Sequence, residues 1–276
     1  MAKSSGKNAE SEGFGGGTMV EVPELMQGVG ILRLVGDSPM LVNNKMSVAW
    51  DVAARYSGDA PKTKKPPMRK RTPDEQYAGA FYVLPSSTCQ PFMAGPGGQN
   101  VKFAEPLLNG LYGVPSSGVA KCLRKAIRTA GFTDNTTIGL IGKSFRVLED
   151  EGGCTLLRHN GFQRDARPVN IGSGQKTVPD IRYRPLFLEW ELHVKVVYNS
   201  GILSLTQLAN LANHAGQYIG LCELRAEKGQ GECGGFRIDS LDKVPRWATD
   251  EYWGVAMEPM FRVLKSPPPG MNGKGR

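Results

Sequence analysis

Histidine is scarce in this chain, with three residues in 276: His159, His193 and His214. They form no His-Glu-x-x-His run and show no paired metal-ligand spacing, so a zinc hydrolase is not indicated. A Gly-x-Ser-x-Gly nucleophile elbow is also missing. Residues 172–177 (GSGQKT) resemble a nucleotide-binding loop but lack the Gly-Lys-Ser/Thr end. They run into Val178-Pro179, where a proline forbids the helix that such a loop requires. Five cysteines (Cys89, Cys122, Cys154, Cys222, Cys233) are odd in number, widely spaced and without a Cys-x-x-Cys pair. Neither a zinc site nor a disulfide framework follows, and reduced thiols in a cytoplasmic compartment fit best. No apolar run approaches the roughly 20 residues that span a bilayer. The first residues (MAKSSGKNAESEGFGGG) lack the apolar core of a signal peptide. The expectation is a non-enzymatic cytoplasmic protein with no metal, no cofactor and no membrane.

What the chain does have is positive charge. Thirty-four Lys and Arg face 26 Asp and Glu, for a net charge of +8 and a pI near 9.3. With hydrophobic residues at 40%, this describes a soluble globular protein. The balance favours an anionic partner, nucleic acid first, although it could also serve solubility alone. Residues 1–19 and 266–276 read as disordered tails, being rich in Gly, Ser, Lys and Pro. Residues 20–265 read as a single α+β domain, and no internal repeat is visible.

The organising stretch is Arg182–Ile238. Residues 186–198 (LFLEWELHVKVVY) alternate, with Leu188, Trp190, Leu192, Val194, Val196 and Tyr198 on one face. Glu189, Glu191, His193 and Lys195 fall on the other, the pattern of a half-buried antiparallel strand. Ser204, with Gln207 three residues on, opens a helix by a capping box. Leu205, Leu208, Leu211, Ala212 and Ala215 give that helix an apolar stripe, and Gly220 is its expected end. Earlier, Val29–Val35 reads as a central strand, apolar on both faces. Thr72-Pro-Asp-Glu starts a helix expected to run to about Tyr82. Residues 85–100 read as loop, 118–130 as helix, 138–148 as strand and 150–181 as loop. Phe261-Arg-Val-Leu is a candidate last strand.

Three basic features are candidate nucleic-acid contacts. The insertion 45–71 ends in a proline-rich tract carrying Lys62, Lys64, Lys65, Arg69, Lys70 and Arg71. The helix 118–130 bears Lys121, Arg124, Lys125 and Arg128 without acidic partners four residues away. The segment 225–237 sets Arg225, Lys228 and Arg237 around Gly229, Gly231, Gly234 and Gly235. Glycine lets a backbone come close to a phosphate, with N–H groups converging on it. The plain alternatives are solvated faces and a flexible hairpin loop. Tyr77, Phe81, Tyr183, Phe187, Trp247 and Trp253 could stack bases, though most read as core.

Several segments together resemble an uncharacterised family of phage and prophage proteins. They are Gly-Asp-Ser-Pro-Met-Leu after the first strand, Thr-Pro-Asp-Glu-Gln, Tyr-Gly-Val-Pro-Ser-Ser-Gly-Val-Ala-Lys-Cys-Leu and Arg-Tyr-Arg-Pro-Leu-Phe. Tyr-Ile-Gly-Leu-Cys-Glu-Leu-Arg-Ala-Glu-Lys with its following Gly-Phe-Arg completes the set. The layout is also similar to the RAMP superfamily, RRM-like proteins that form the guide-RNA-binding backbone of CRISPR effector complexes. That resemblance implies a ferredoxin-like (RRM-like) antiparallel sheet with helices on one face and long loop insertions. It also implies binding of single-stranded nucleic acid, RNA favoured, by a homo-oligomer or multi-subunit complex. Two alternatives stay open: a metal-independent RNA endonuclease of the same superfamily with His193 as general base, and a phage structural or assembly protein.

Overall fold

A computed structural model describes residues 24–45, 49, 70–88, 92–94, 101–171, 178–229 and 231–254. The strands in chain order are β1 (Gln27–Gly36), β2 (Met40–Leu41), β3 (Phe92–Ala94), β4 (Val101–Phe103), β5 (Tyr112–Pro115) and β6 (Phe145–Val147). They continue with β7 (Cys154–His159), β8 (Gln163–Ile171), β9 (Val178–Phe187), β10 (Trp190–Asn199) and β11 (Phe236–Asp239). The helices are α1 (Pro73–Ala78), α2 (Ser116–Thr129), α3 (Asn135–Lys143) and α4 (Leu205–His214). The main sheet runs β11-β1-β10-β7-β5, with β6 also pairing β10. A smaller sheet runs β2-β9-β8, and β3 pairs β4. All recorded pairings are antiparallel, so the chain is α+β.

The register decides which face is apolar. Leu34 lies opposite Leu192, and Leu32 opposite Val194. These four are fully buried beneath Val119, Leu123, Ala126 and Ile127 of α2 and Leu208, Leu211 and Ala212 of α4. On the other face Arg33 lies opposite His193 and Val35 opposite Glu191. The first strand is central, as its two-sided apolar pattern implies.

The capping box expected at Ser204 forms, and the helix start at Thr72 has one as well. The Thr72 hydroxyl accepts from the Glu75 amide at 3.2 Å, and the Ser204 hydroxyl accepts from Gln207 at 3.2 Å. The chain then departs from the sequence reading in several places. The first helix stops at Ala78, with Ala80 and Phe81 buried beyond it rather than on a continuing helical stripe. Residues 138–143, the first part of the expected strand 138–148, instead belong to α3, because the Asp134 carboxylate caps the Thr137 amide at 2.7 Å and starts a helix there. Only 145–147 of that stretch pairs as strand.

The segment 150–181, expected as loop, supplies β7, β8 and part of β9. Its arginines hid the pattern: Arg158 is a buried strand residue, and β8 is ribbon-like, with half-exposed and exposed positions alternating. β3 likewise falls inside the expected loop 85–100. The strand expected over 186–198 breaks at Leu188-Glu189. Leu188 is exposed there, and β9 hands over to β10 in the other sheet. The tails 1–19 and 266–276, Phe261-Arg-Val-Leu and nearly all of the 45–71 insertion lie outside the described residues. Among the described residues no helix is long and apolar enough to cross a membrane.

Candidate nucleic-acid interface

A cleft of about 670 Å³ opens where α2, β9 and the segment after α4 meet. Each wall has a local cause. Lys121 and Lys125 of α2 are four residues apart, so they share one helix face and both line the cleft. The N-terminal end of α2 lines it too, through Pro115 and Gly118. That end has no side-chain cap and no acid in its first turn, which leaves the positive end of the helix dipole uncompensated there. On β9, Arg182 and Arg184 are two apart and therefore point to the same side. Lys45, where the basic insertion begins, completes that side with Asn43 and Tyr82.

The fourth wall is 219–228. The end of α4 runs on into a π-helical turn over Ala215–Ile219 and stops at Gly220. Beyond it Cys222 (φ 61°) and Leu224 (φ 53°) both take the left-handed conformation that side chains disfavour. Each costs on the order of 1–2 kcal/mol. They are held by the bridge from Glu223 to Leu41, the Glu223 amide donating to the Leu41 carbonyl at 3.1 Å. Strained backbone of this kind concentrates at functional sites.

Seven cations line the cleft (Lys45, Lys121, Lys125, Arg182, Arg184, Arg225, Lys228) against two carboxylates, Glu223 and Glu227. Glu227 pairs with Lys125 and lies 3.1 Å from Arg225. The Lys125 contact, helped by Arg225, holds the Glu227 carboxyl below its ordinary range. Glu223 pairs with Arg184 and accepts from Asn43 at 2.7 Å. Among the described residues Lys45, Lys121, Arg182 and Lys228 form no ion pair. Arg184 is buried, with Nη2 3.5 Å from Asp165, and its Nε has no hydrogen-bond partner. A buried guanidinium with a spare donor on a cleft wall suits an incoming oxyanion. Burial pushes the Cys122 and Cys222 thiols that line the cleft up to about 12, so they are neutral near pH 7 and not nucleophilic.

The expected contacts are partly gathered and partly scattered. Lys121, Lys125, Arg225 and Lys228 meet in the cleft. The helix stripe splits, because the pairs 121/125 and 124/128 sit roughly 60° apart around a helix of 3.6 residues per turn. Arg124 instead donates to the Gly142 carbonyl at 2.9 Å and lies 5.7 Å over the Phe145 ring. Arg128 donates to Asn135 at 2.9 Å. Both therefore fasten α2 to α3.

The glycines divide as well. Gly229 and Gly231 face open space, beside the cleft rim at Lys228. Gly234 is packed so tightly that a Cβ would lie 2.0 Å from the Leu221 carbonyl oxygen. The Gly235 carbonyl accepts from the Asp37 amide at 2.9 Å, which docks this part of the segment onto the exit of β1. Arg237 pairs with Asp37 and lines a different, smaller pocket beside Asn213 and Gln217. Lys62, Lys64, Lys65 and Arg69 lie outside the described residues. Lys70 is exposed and Arg71 half-buried, and neither lines the cleft. Of the aromatics, Phe81 and Phe187 are buried in the main core, and Trp253 is buried in a smaller, separate cluster. Arg164 sits over Tyr77 and Tyr183, at 5.2 and 4.8 Å.

His193 is on the far face of the sheet. Its Nε2 is 3.4 Å from Glu191 and its Nδ1 4.0 Å from Asp250, and it does not line the cleft. Among the described residues no group of three or more His, Cys, Asp or Glu could hold a metal ion. No family model and no curated protein matches the chain. The sequence reading passed over Lys45, Arg182 and Arg184. The Arg-x-Arg alternation was the available signal, but it means a shared face only once 178–187 is known to be a strand.

Proposed function

We propose that the chain binds single-stranded nucleic acid, RNA favoured, by its phosphate backbone in this cleft and without catalysis. The observation that carries the reading is the convergence of seven cations from four separate segments on one cavity with two carboxylates. Charge lining a concave surface concentrates a polyanion more strongly than the same charge spread over a sphere. The fold supports the same reading. Taking β1, α2, β6, β10, α4 and β11 as six elements gives a βαββαβ chain in sheet order β11-β1-β10-β6, which is compatible with a ferredoxin-like core. The glycine-rich segment then falls between the second helix and the last strand, as in the RAMP-like layout, with β7–β9 and residues 45–71 as insertions. A RAMP-like, phage-borne protein working as a homo-oligomer or within a multi-subunit complex fits this arrangement.

Fluorescence anisotropy of labelled single-stranded RNA and DNA, at two salt concentrations, tests the proposal. Binding that weakens steeply with salt is expected. Absence of binding to either strand at low salt overturns it.

A further inference from the structure

The face of the main sheet opposite α2 and α4 is polar, and part of it lies under residues 246–254. Arg158 of β7 stands there, opposite Glu191 in register. Its side chain is 4% exposed. Both Glu191 oxygens are already taken by Arg33, at 2.8 and 2.6 Å. Among the described residues the one carboxylate on Arg158 is that of Asp250, which reaches Nη2. Nε and Nη1 of Arg158 are buried and have no hydrogen-bond partner. A desolvated guanidinium with two idle donor groups is costly unless an anion with several acceptor oxygens meets it.

The segment above it is attached locally. Ala248 and Trp253 are its buried residues. Trp253 packs with Leu84, Cys154 and Leu156 in a cluster separate from the main core. It also lies 4.9 Å from the His159 ring. Lifting this segment therefore leaves the core beneath α2 and α4 closed.

We propose that Arg158 is the centre of a second, latent anion site, which the Asp250 carboxylate fills in the closed form and a phosphate group fills when residues 246–254 lift. A carboxylate fixed to the backbone satisfies one arm of the guanidinium. A phosphate has the oxygens and the freedom to meet the other arm and Nε as well. The site shares no residue with the cleft and does not depend on it.

The test is carried out in the full chain, and its Arg158→Met arm separates this site from the cleft, whose cations are left in place. Inorganic phosphate is titrated against chloride at matched ionic strength, with tryptophan fluorescence as readout. Removing the tethered competitor by Asp250→Ala is expected to tighten phosphate binding on the order of tenfold. Adding Arg158→Met is expected to abolish that gain. A 5′-phosphorylated dinucleotide that binds the Asp250→Ala chain better than its unphosphorylated form identifies a nucleic-acid end as the source. Binding of inorganic phosphate alone identifies free phosphate. Equal affinity with and without Asp250, or a gain that survives Arg158→Met, overturns the proposal. Should Asp250→Ala fail to fold, hydrogen exchange in the Asp250-bearing chain decides. Phosphate must speed exchange across 246–254, and unchanged exchange there overturns the site.

Discussion

Neutralising Lys121 should change how binding depends on salt, by an amount the cleft geometry sets. Of the seven cations, Lys125, Arg184 and Arg225 already have carboxylate partners, which leaves Lys45, Lys121, Arg182 and Lys228. For a single strand, each phosphate neutralised contributes about −0.7 to the slope of log K against log salt, so four give about −2.8. Between roughly 50 and 200 mM salt the affinity then falls about 50-fold. Lys121→Gln removes one contact, for a slope near −2.1 and a fall of about 20-fold over the same range. Arg128→Gln removes the same formal charge from the same helix, but that side chain is spent on Asn135. It should leave the slope at its original value. Anisotropy titrations at four or so salt concentrations separate these outcomes. An unchanged slope for Lys121→Gln, or an equal change for Arg128→Gln, would refute a localised track in favour of diffuse charge.

Three further outcomes follow from the geometry. Gly234→Ala should lower thermal stability severely, since its Cβ would collide with the Leu221 carbonyl. Gly231→Ala, in open space, should lose only about 1 kcal/mol from its left-handed backbone, and paired melting curves compare them. Arg33→Met strands the buried Glu191 carboxylate and should cost about 3–5 kcal/mol in denaturant unfolding, whereas Arg33→Met with Glu191→Leu should recover much of that loss.

Burial pushes the His159 ring down to about 4 from its ordinary 6.5, and its Nδ1 already accepts from the Gly161 amide at 3.1 Å. The folded chain thus holds fewer protons than the unfolded one between those values. The stabilisation is complete above about pH 6.5 and lost as pH falls towards 4, up to about 3 kcal/mol. Unfolding of His159→Phe followed over that range should show a visibly flatter pH profile. A profile parallel to that of the original chain counts against the buried neutral ring.

The parts of the fold written in short-range chemistry were legible in the sequence. Thr72 and Ser204 announce their helices through side chains that bond three residues ahead, and no tertiary context alters that. The alternation around β10 likewise survives, because its apolar residues have one face to bury. What could not be read depends on partners far away in the chain. Glu191, placed by alternation on the watery side, is among the most buried residues, since Arg33 lies 158 positions away. Asp134 turns 135–143 helical although Ile138, Leu140 and Ile141 suit a strand equally well. The cleft was half legible: helix periodicity brings out Lys121 and Lys125 together. It could not say that Arg124 and Arg128 belong to α3, nor that Arg182 and Arg184 arrive from a different sheet.

Glu227 joins Lys125 of the helix to Arg225 of the opposing wall, and so links two rims of the cleft into one frame. A ligand entering such a frame has little loop ordering to impose, and its losses are confined to its own freedom. Encounter rates should then be set by long-range charge and differ little among cleft variants of equal charge, with residence time carrying the differences in affinity. Cutting the tie reverses that economy: the chain must first draw its two rims together, and association slows before release does.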